Sequence, residues 1–482
     1  MTCVQLFLLL LFSSYAASEE PKVAIIGAGI AGLSTANRFL EKGFTNFEIF
    51  EALDRAGGRI WPVKYEDGYL QHGAQFINGD KNPLYRLAEK LGVLGDVVHD
   101  FEHIDQGKFL YGDCKVDEKD ISAFRRFVAP LDLNYHEVAF ANDARSYDET
   151  VKSMFDRDFN AFLKRQNATT GHRRNVFNAL TQPYRSYFEF EYAAKWEDLS
   201  LRAITEWDDL DGQLVSYNTD KLGYKAIIDY LRDQIPRENL HFGHRVKNID
   251  YSGAKTVITL ENGTTFGGFD FVIVTASLGH LKKYARTLFT PTLPKKKLEA
   301  IDKIGLGTSA KVFFEFGEQF WSDDVIIPLP VAGCSGRKAV DAVQQEFTTF
   351  HTIPWASNIL MAWIAGPGPE IVDVIDDDHL SATVTNLFRS VYQNQSIPAP
   401  TKIIRNRWTQ NDLFAGSYSY VSYAQAQAKI KHADLSIPVS RNRRPRIQFA
   451  GEATHHRIFQ TAVGAFLTGR READRVFDNI NL

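Results

Sequence analysis

The run V-A-I-I-G-A-G-I-A-G-L, from Val23 to Leu33, is followed by an acid at Glu51 and by D-R-A-G-G-R, from Asp54 to Arg59. Val23 to Gly27 is a short apolar run ending in glycine, the pattern of a parallel strand buried on both faces. Gly27, Gly29 and Gly32 stand at G-x-G-x-x-G spacing. The first permits a tight turn, the second lets backbone approach a pyrophosphate, and the third lets a helix pack on the strand. That helix is expected over about Ala31 to Glu41, with Leu33, Ala36, Phe39 and Leu40 inward and Gly43 as its stop. Its amino end directs partial positive charge at phosphate. A second strand, Phe47 to Phe50, ends at Glu51, where a carboxylate accepts both ribose hydroxyls; an arginine there would have indicated a 2′-phosphate. Strand, helix, strand and acid in register read as a Rossmann-type dinucleotide-binding unit.

A chain of 482 residues that is 44% hydrophobic can bury a large core and divide into two lobes. The net charge of -4 gives no electrostatic case for nucleic acid. The 35 Phe and 19 Tyr favour an aromatic interior. Val4 to Phe12 is apolar but too short to span a bilayer, and Ala16-Ala17-Ser18 precedes Glu19, so residues 1–18 read as a secretory signal peptide. No other segment has the length and apolarity of a transmembrane helix, and a secreted chain is expected. Sequons at Asn167, Asn262 and Asn394 are permitted in that compartment. Cys114 and Cys334 can pair or stay free, and the sequence does not choose. No His/Cys cluster has metal-ligand spacing; adjacent His455 and His456 are expected to point apart rather than at one ion.

Downstream, Gly95 to Val215 is charged and aromatic, with helical periodicity from Val151 to Leu163. A helix begins at Gly223-Tyr224, then two strand-like runs span His241 to Tyr251 and Thr256 to Leu260, before a turn at Asn262-Gly263. Phe271 to Thr275 is another buried-strand run. In the strand expected over Ala310 to Phe316, period two puts Lys311, Phe313 and Glu315 on one face. A lysine in such a place is ordinarily an edge residue or one that snorkels to water. Asp376-Asp377-Asp378 reads as the capped start of a helix over His379 to Tyr392. Arg441 to Arg446 reads as a solvated basic loop before a last strand, Ile447 to Ala450. That strand ends at Glu452, an acid where an open α/β sheet places cofactor contacts. The following helix, Ala462 to Phe477, can offer N–H groups from Thr461-Ala462 to a cofactor.

These segments together resemble the FAD-dependent amine oxidases, in particular the polyamine oxidase and spermine oxidase branch. The resemblance is carried by G-A-G-I-A-G-L with E-A-L-D-R-A-G-G-R-I, T-A-S-L-G-H-L-K at Thr275 to Lys282 and A-K-V-F-F-E-F at Ala310 to Phe316. R-W-T-Q-N-D-L-F-A-G-S-Y-S-Y at Arg407 to Tyr420, F-A-G-E-A-T-H-H at Phe449 to His456 and G-R-R-E-A-D-R at Gly469 to Arg475 complete it. It implies an α/β, bilobal flavoprotein: a Rossmann-type FAD-binding domain in three pieces (19–95, 216–300 and 431–482) and a mixed-sheet substrate domain (96–215 and 301–430). The D-R-A-G-G-R segment lies against pyrophosphate and ribityl chain in such flavoproteins, which selects FAD over nicotinamide. Gly27, Gly29, Gly32, Glu51, Arg59, Gly73, Ala74, Val246, Glu452, Thr461 and Ala462 are the cofactor-binding positions so implied.

In the family, the lysine matching Lys311 holds a water near flavin N5 and is the catalytic candidate. Tyr418 matches an aromatic wall, Glu191 a substrate-side acid in F-E-F-E-Y-A, with Glu189 or Glu191 equally able to face solvent. Ser417 stands where monoamine oxidases carry a flavin-linking cysteine, so FAD is expected to be noncovalent. The resemblance implies a small polyamine substrate (spermine, spermidine or N-acetylated forms), O2 as acceptor, and an aldehyde, a shorter amine and hydrogen peroxide as products. Departures from the family pattern fall on the substrate side: Asn78 replaces a His or Glu, Thr461 a second aromatic wall, Val463 a histidine and Arg470 a tryptophan. A neutral Asn78 suits a less charged substrate. An L-amino-acid oxidase, which needs an arginine clamp for a carboxylate, and a catalytically impaired FAD-binding relative are the other readings.

Overall fold

The computed structural model describes residues 20–98, 107–141, 143–208, 215–334 and 339–480; the leader-like segment lies outside them. The strand Val23–Ile26 sits at the centre of a six-stranded sheet. Phe47–Phe50 and Phe271–Val274 flank it in parallel, and Leu240–His241 and Arg444–Phe449 lie beyond. Both faces are covered, as a continuous apolar strand requires. Val23, Ile25 and Ile273 pack with Leu33, Phe39 and Val463 on one side. Ala24, Ile26, Val272 and Val274 pack with Leu278 and Leu281 on the other.

The helix Ile30–Glu41 follows the glycine turn, ends at Lys42, and hands over to Gly43 in the left-handed region at φ 76°. It packs along Ala462–Ile480 through small residues: Ser34 Oγ donates to Phe466 O at 2.7 Å and Thr35 Oγ1 to Gly469 O at 3.1 Å.

Two expectations needed correction here. His241 to Tyr251 is not one strand: Leu240–His241 closes the parallel sheet, whereas Val246–Asp250 pairs with Thr256–Leu260 in a separate four-stranded sheet, with Gly243 at φ 68° turning the chain between them. The basic stretch Arg441 to Arg446 is a β-hairpin rather than a loop. Asn442 and Arg443 both take positive φ, which matches the twist of a two-residue turn, and Val439–Arg441 pairs back on Arg444–Phe449.

A second six-stranded sheet is mixed. Its order is Lys402–Arg405, Ser309–Glu315, Ile359–Ala365, Phe350–Thr352, Val325–Pro328 and Lys108–Leu110. The helix Asp377–Tyr392 belongs to the core on one face, and Asp376 caps it by accepting from His379 N at 2.7 Å. Beside this sheet stands a helical layer that includes Glu118–Val128, Leu131–Phe140, Val151–Arg165 and Gly171–Tyr192, whose core is built largely of phenylalanine and tyrosine. A disulfide joins Cys114 to Cys334 and resolves the pairing the sequence left open.

At Gly469 an added Cβ would stand 2.1 Å from Ala31 O, so the two long helices touch backbone to backbone there. Gly469→Ala is expected to cost about 1–3 kcal/mol by overpacking, read as a lowered urea midpoint at unchanged slope; unaltered stability would show that the helices have room to separate.

Candidate active site

The glycine turn is built for a diphosphate. Gly27 takes φ 108°, an added Cβ on Gly32 would lie 2.0 Å from Gly27 O, and one on Gly29 would project into open space. Gly29 and Gly57 bridge in parallel, and Gly57 N donates to Ala28 O at 2.9 Å, so D-R-A-G-G-R lies directly across the turn. Glu51 is buried and accepts from Ala28 N at 2.6 Å and Leu53 N at 2.8 Å, which fixes its carboxylate while leaving lone pairs for ribose hydroxyls. Burial pushes its pKa up, and those two backbone donors oppose the shift. Val246 opens its strand on the same cavity.

Arg59 and Glu452 form an ion pair at 2.9 Å, and Arg59 Nη1 also donates to Ser417 O at 2.6 Å. Glu452 Oε2 accepts from Ser419 Oγ at 2.6 Å and Gln460 N at 3.0 Å. Despite burial, these partners, Arg59 foremost, hold its carboxyl below the usual range. Glu452 is thus an anchor tying the last strand to two other segments. Thr461 caps the closing helix, its Oγ1 accepting from Gly464 N at 2.9 Å, and leaves the first-turn amides from Ala462 outside the helical hydrogen-bond ladder.

Lys311 is neither at an edge nor snorkelling. Its strand lies inside the mixed sheet, where Lys311 stands opposite Trp363 and is 2% exposed. Nζ donates to Gln71 O at 2.7 Å, Gly73 O at 2.9 Å and Gln75 Oε1 at 2.8 Å, and lies 4.4 Å from the Trp363 ring centre. Burial holds its pKa well below the usual lysine value. Gly73 has no room for a side chain, because a Cβ would fall 1.7 Å from Arg59 O. Ala74 lines the same cavity.

That cavity measures about 1090 Å³, and its lining includes Gly27, Glu51 and Val246 together with Lys311, Tyr418, Asp132 and Glu191. Tyr418 is half-buried and donates to Phe190 O at 2.9 Å, and desolvation of its ring hydroxyl raises its pKa. Phe190 packs edge-on against Trp363 with ring centres 4.4 Å apart, and Phe76 stacks on the same indole at 6.1 Å. Asn78 reaches the cavity with Nδ2 committed to Ser216 Oγ at 3.0 Å. Trp363, Phe190, Phe76 and Gln75 were not singled out from sequence. Alternation within Ile359–Ala365 hints at a face for Trp363, but its partner across the sheet is visible only in the fold.

Glu189 and Glu191 part company. Glu191 lines the cavity, whereas Glu189 is 1% exposed, 3.2 Å from Arg185, and its pKa is pushed up to about 8 by burial. Of the two acids left open to solvent by the sequence, Glu189 is turned inward against Gly366, where a Cβ would lie 2.3 Å from the carboxyl carbon. His455 and His456 also depart from expectation. Their rings stack at 5.0 Å instead of pointing apart, since His455 Nδ1 accepts from Arg457 N and Ile458 N in the turn after Glu452–Thr454. Away from the cavity, Cys114, Cys334 and His172 gather within 4.8 Å, with both sulfurs joined in the disulfide.

The chain matches the family described as flavin containing amine oxidoreductase over residues 30–477 and belongs to it. It is therefore a flavin-dependent oxidoreductase acting on CH–NH groups. It is 28% identical to the peroxisomal N(1)-acetyl-spermine/spermidine oxidase of Bos taurus, over 96% of this chain and 95% of that protein. Polyamine oxidase 7 of Oryza sativa subsp. japonica is 26% identical over 95% of each chain. The human lysine-specific histone demethylase 2 is 27% identical over 95% of this chain and 53% of its own length.

Burial also keeps nearby histidines neutral: His72, His280 and His432 are lowered to about 4 and His455 to about 3. In the unfolded chain these rings take a proton near their ordinary value of 6.5, and in the fold they resist it to about 4, so stability present above 6.5 is lost as pH falls. The histidine contribution to the melting temperature should be full above about 6.5 and fall away towards pH 4, read as a shallower drop over that window in His432→Gln than in the unaltered chain. A flat profile across that window would contradict this.

Proposed function

We propose that this chain is a secreted oxidase of polyamines that holds FAD noncovalently and uses O2 as acceptor. The carrying observation is that one cavity is lined both by the dinucleotide turn and by the buried Lys311, together with carboxylates from the aromatic helical layer. Asp132 and Glu191 in that lining suit distal ammonium groups. The two arginines lining the cavity are both committed, Arg59 to Glu452 and Arg245 to Asp412 and Glu261. This supports amines over amino acids, because a substrate carboxylate needs an available clamp.

Bound flavin supplies the acceptor for a hydride equivalent from the amine α-carbon and passes the electrons to O2, giving hydrogen peroxide. The chain's part is to present the amine neutral and oriented. Trp363, Phe190 and Tyr418 form an apolar wall that disfavours an ammonium at the reacting nitrogen. Distal charges are held where the carboxylates are. Asn78 adds no charge, which favours N-acetylated or otherwise less charged forms among spermine, spermidine and their derivatives. Lys311 would hold a water beside the bound flavin when one of its three acceptors yields. The imine that leaves hydrolyses to an aldehyde and a shorter amine. Secretion is supported by the apolar start of the sequence, the disulfide and exposed asparagines at all three sequons.

Peroxide release should accompany spermine or N-acetylspermine and be absent with L-amino acids, and Lys311→Met should lower it by about a hundredfold. Peroxide from amino acids alone would overturn the substrate reading. Acid precipitation should release FAD intact; flavin that stays with the denatured chain would overturn noncovalent binding.

A further inference from the structure

All three protons of the Lys311 ammonium are spoken for. Two go to backbone carbonyls of Gln71 and Gly73, at 2.7 Å and 2.9 Å, in a segment pinned by the close approach of Gly73 to Arg59. The third goes to Gln75 Oε1 at 2.8 Å, the one partner of the three that sits on a side chain with bonds free to rotate. Gln75 lines the cavity, as does Asn218. With the lysine charged, the amide's orientation is set from both ends: an ammonium can only donate, so Oε1 faces it, and Nε2 then donates to Asn218 Oδ1 at 3.1 Å. Thr219 Oγ1 holds the Gln75 carbonyl at 3.2 Å.

A water on Lys311 must contend with this arrangement. While the lysine is charged, water gains a proton to accept only when Gln75 Oε1 withdraws. When the lysine is neutral, two protons remain for Gln71 and Gly73, and a lone pair faces an amide that must reverse to donate to it. Resting on the reading of Lys311 as the residue beside the flavin, we propose that Gln75, braced by Asn218, is a positioning residue that competes with water for the third proton of Lys311. It thereby sets when the lysine holds a water. Among the described residues, the groups facing Lys311 besides its three acceptors are His72, set between Gln71 and Gly73, whose ring stays neutral, and Trp363 from the adjoining strand, while Asn218 from Ser216–Thr219 meets Gln75. Burial alone accounts for the lowering of the lysine's own pKa.

Two readouts on the FAD-loaded enzyme test this without any amine. One is titration of Lys311 by NMR of 13C-labelled lysine, its resonance assigned by loss in Lys311→Met. The other is the rate at which O2 reoxidises light-reduced enzyme. Gln75→Glu puts a carboxylate on the third proton, so the titration midpoint rises by about 1–3 units and reoxidation slows. Gln75→Met leaves that proton to water, so reoxidation quickens by about tenfold, the effect of one hydrogen bond to a charged group. Opposite directions in the two variants are the expected result. Both variants slowed with the midpoint unmoved would overturn the proposal, since a glutamine that only fills space behaves that way. Asn218→Leu should follow Gln75→Met more weakly and serves if that variant does not fold. Loss of all amine turnover alongside the expected shifts would overturn the polyamine reading and leave this one standing.

Discussion

A buried ammonium stabilised by carbonyls, an amide and an aromatic ring is the contact on which the rest of this structure turns. Lys311 starts on a strand of the mixed sheet and finishes against the backbone of Gln71 to Gly73, some 240 positions earlier in the chain. Taking an ammonium out of water costs several kcal/mol even after relaxation, so the charge persists only where acceptors are fixed in place. The fixing comes from the cofactor side, where Gly73 lies against Arg59, and Arg59 in turn holds Glu452 and Ser417. One chain of contacts therefore runs from the last strand of the parallel sheet to the lysine of the other sheet.

The acids that line the cavity are held by different parts of the fold. Glu51 accepts from two backbone amides and keeps lone pairs for ribose hydroxyls, while Glu452 is engaged by Arg59, Ser419 and Gln460. Asp132 and Glu191 lie on helices of the aromatic layer, Asp132 3.5 Å from His136. A flavin-dependent amine oxidoreductase draws on both: fixed polar groups for the dinucleotide and an apolar stretch where the amine nitrogen loses its proton.

The parts of the fold visible in the sequence are those set by short-range rules. Gly27, Gly29, Gly32 and Glu51 announce themselves because a turn, a close approach and a ribose contact each demand one residue type at one spacing. The helix Asp377–Tyr392 and its Asp376 cap follow from local hydrogen bonding. What escaped was decided at long range. Lys311 looked like an edge residue because the strands on either side of it, Lys402–Arg405 and Ile359–Ala365, are assigned by topology. Gln75 and Trp363 became site residues only when those strands paired. The burial of Glu189 likewise depends on Gly366, distant in sequence, whereas His455 and the hairpin at Asn442-Arg443 were misread although local contacts set them: two amides just beyond the ring and two residues at positive φ.

The central claim is that the dinucleotide turn and Lys311 serve one cofactor in one cavity. An experimental structure of the FAD-loaded protein tests it most directly. The account predicts the diphosphate over Gly29 and the isoalloxazine N5 within one bridging water of Lys311 Nζ. An isoalloxazine lying elsewhere, with Lys311 sealed from it by protein, would contradict it.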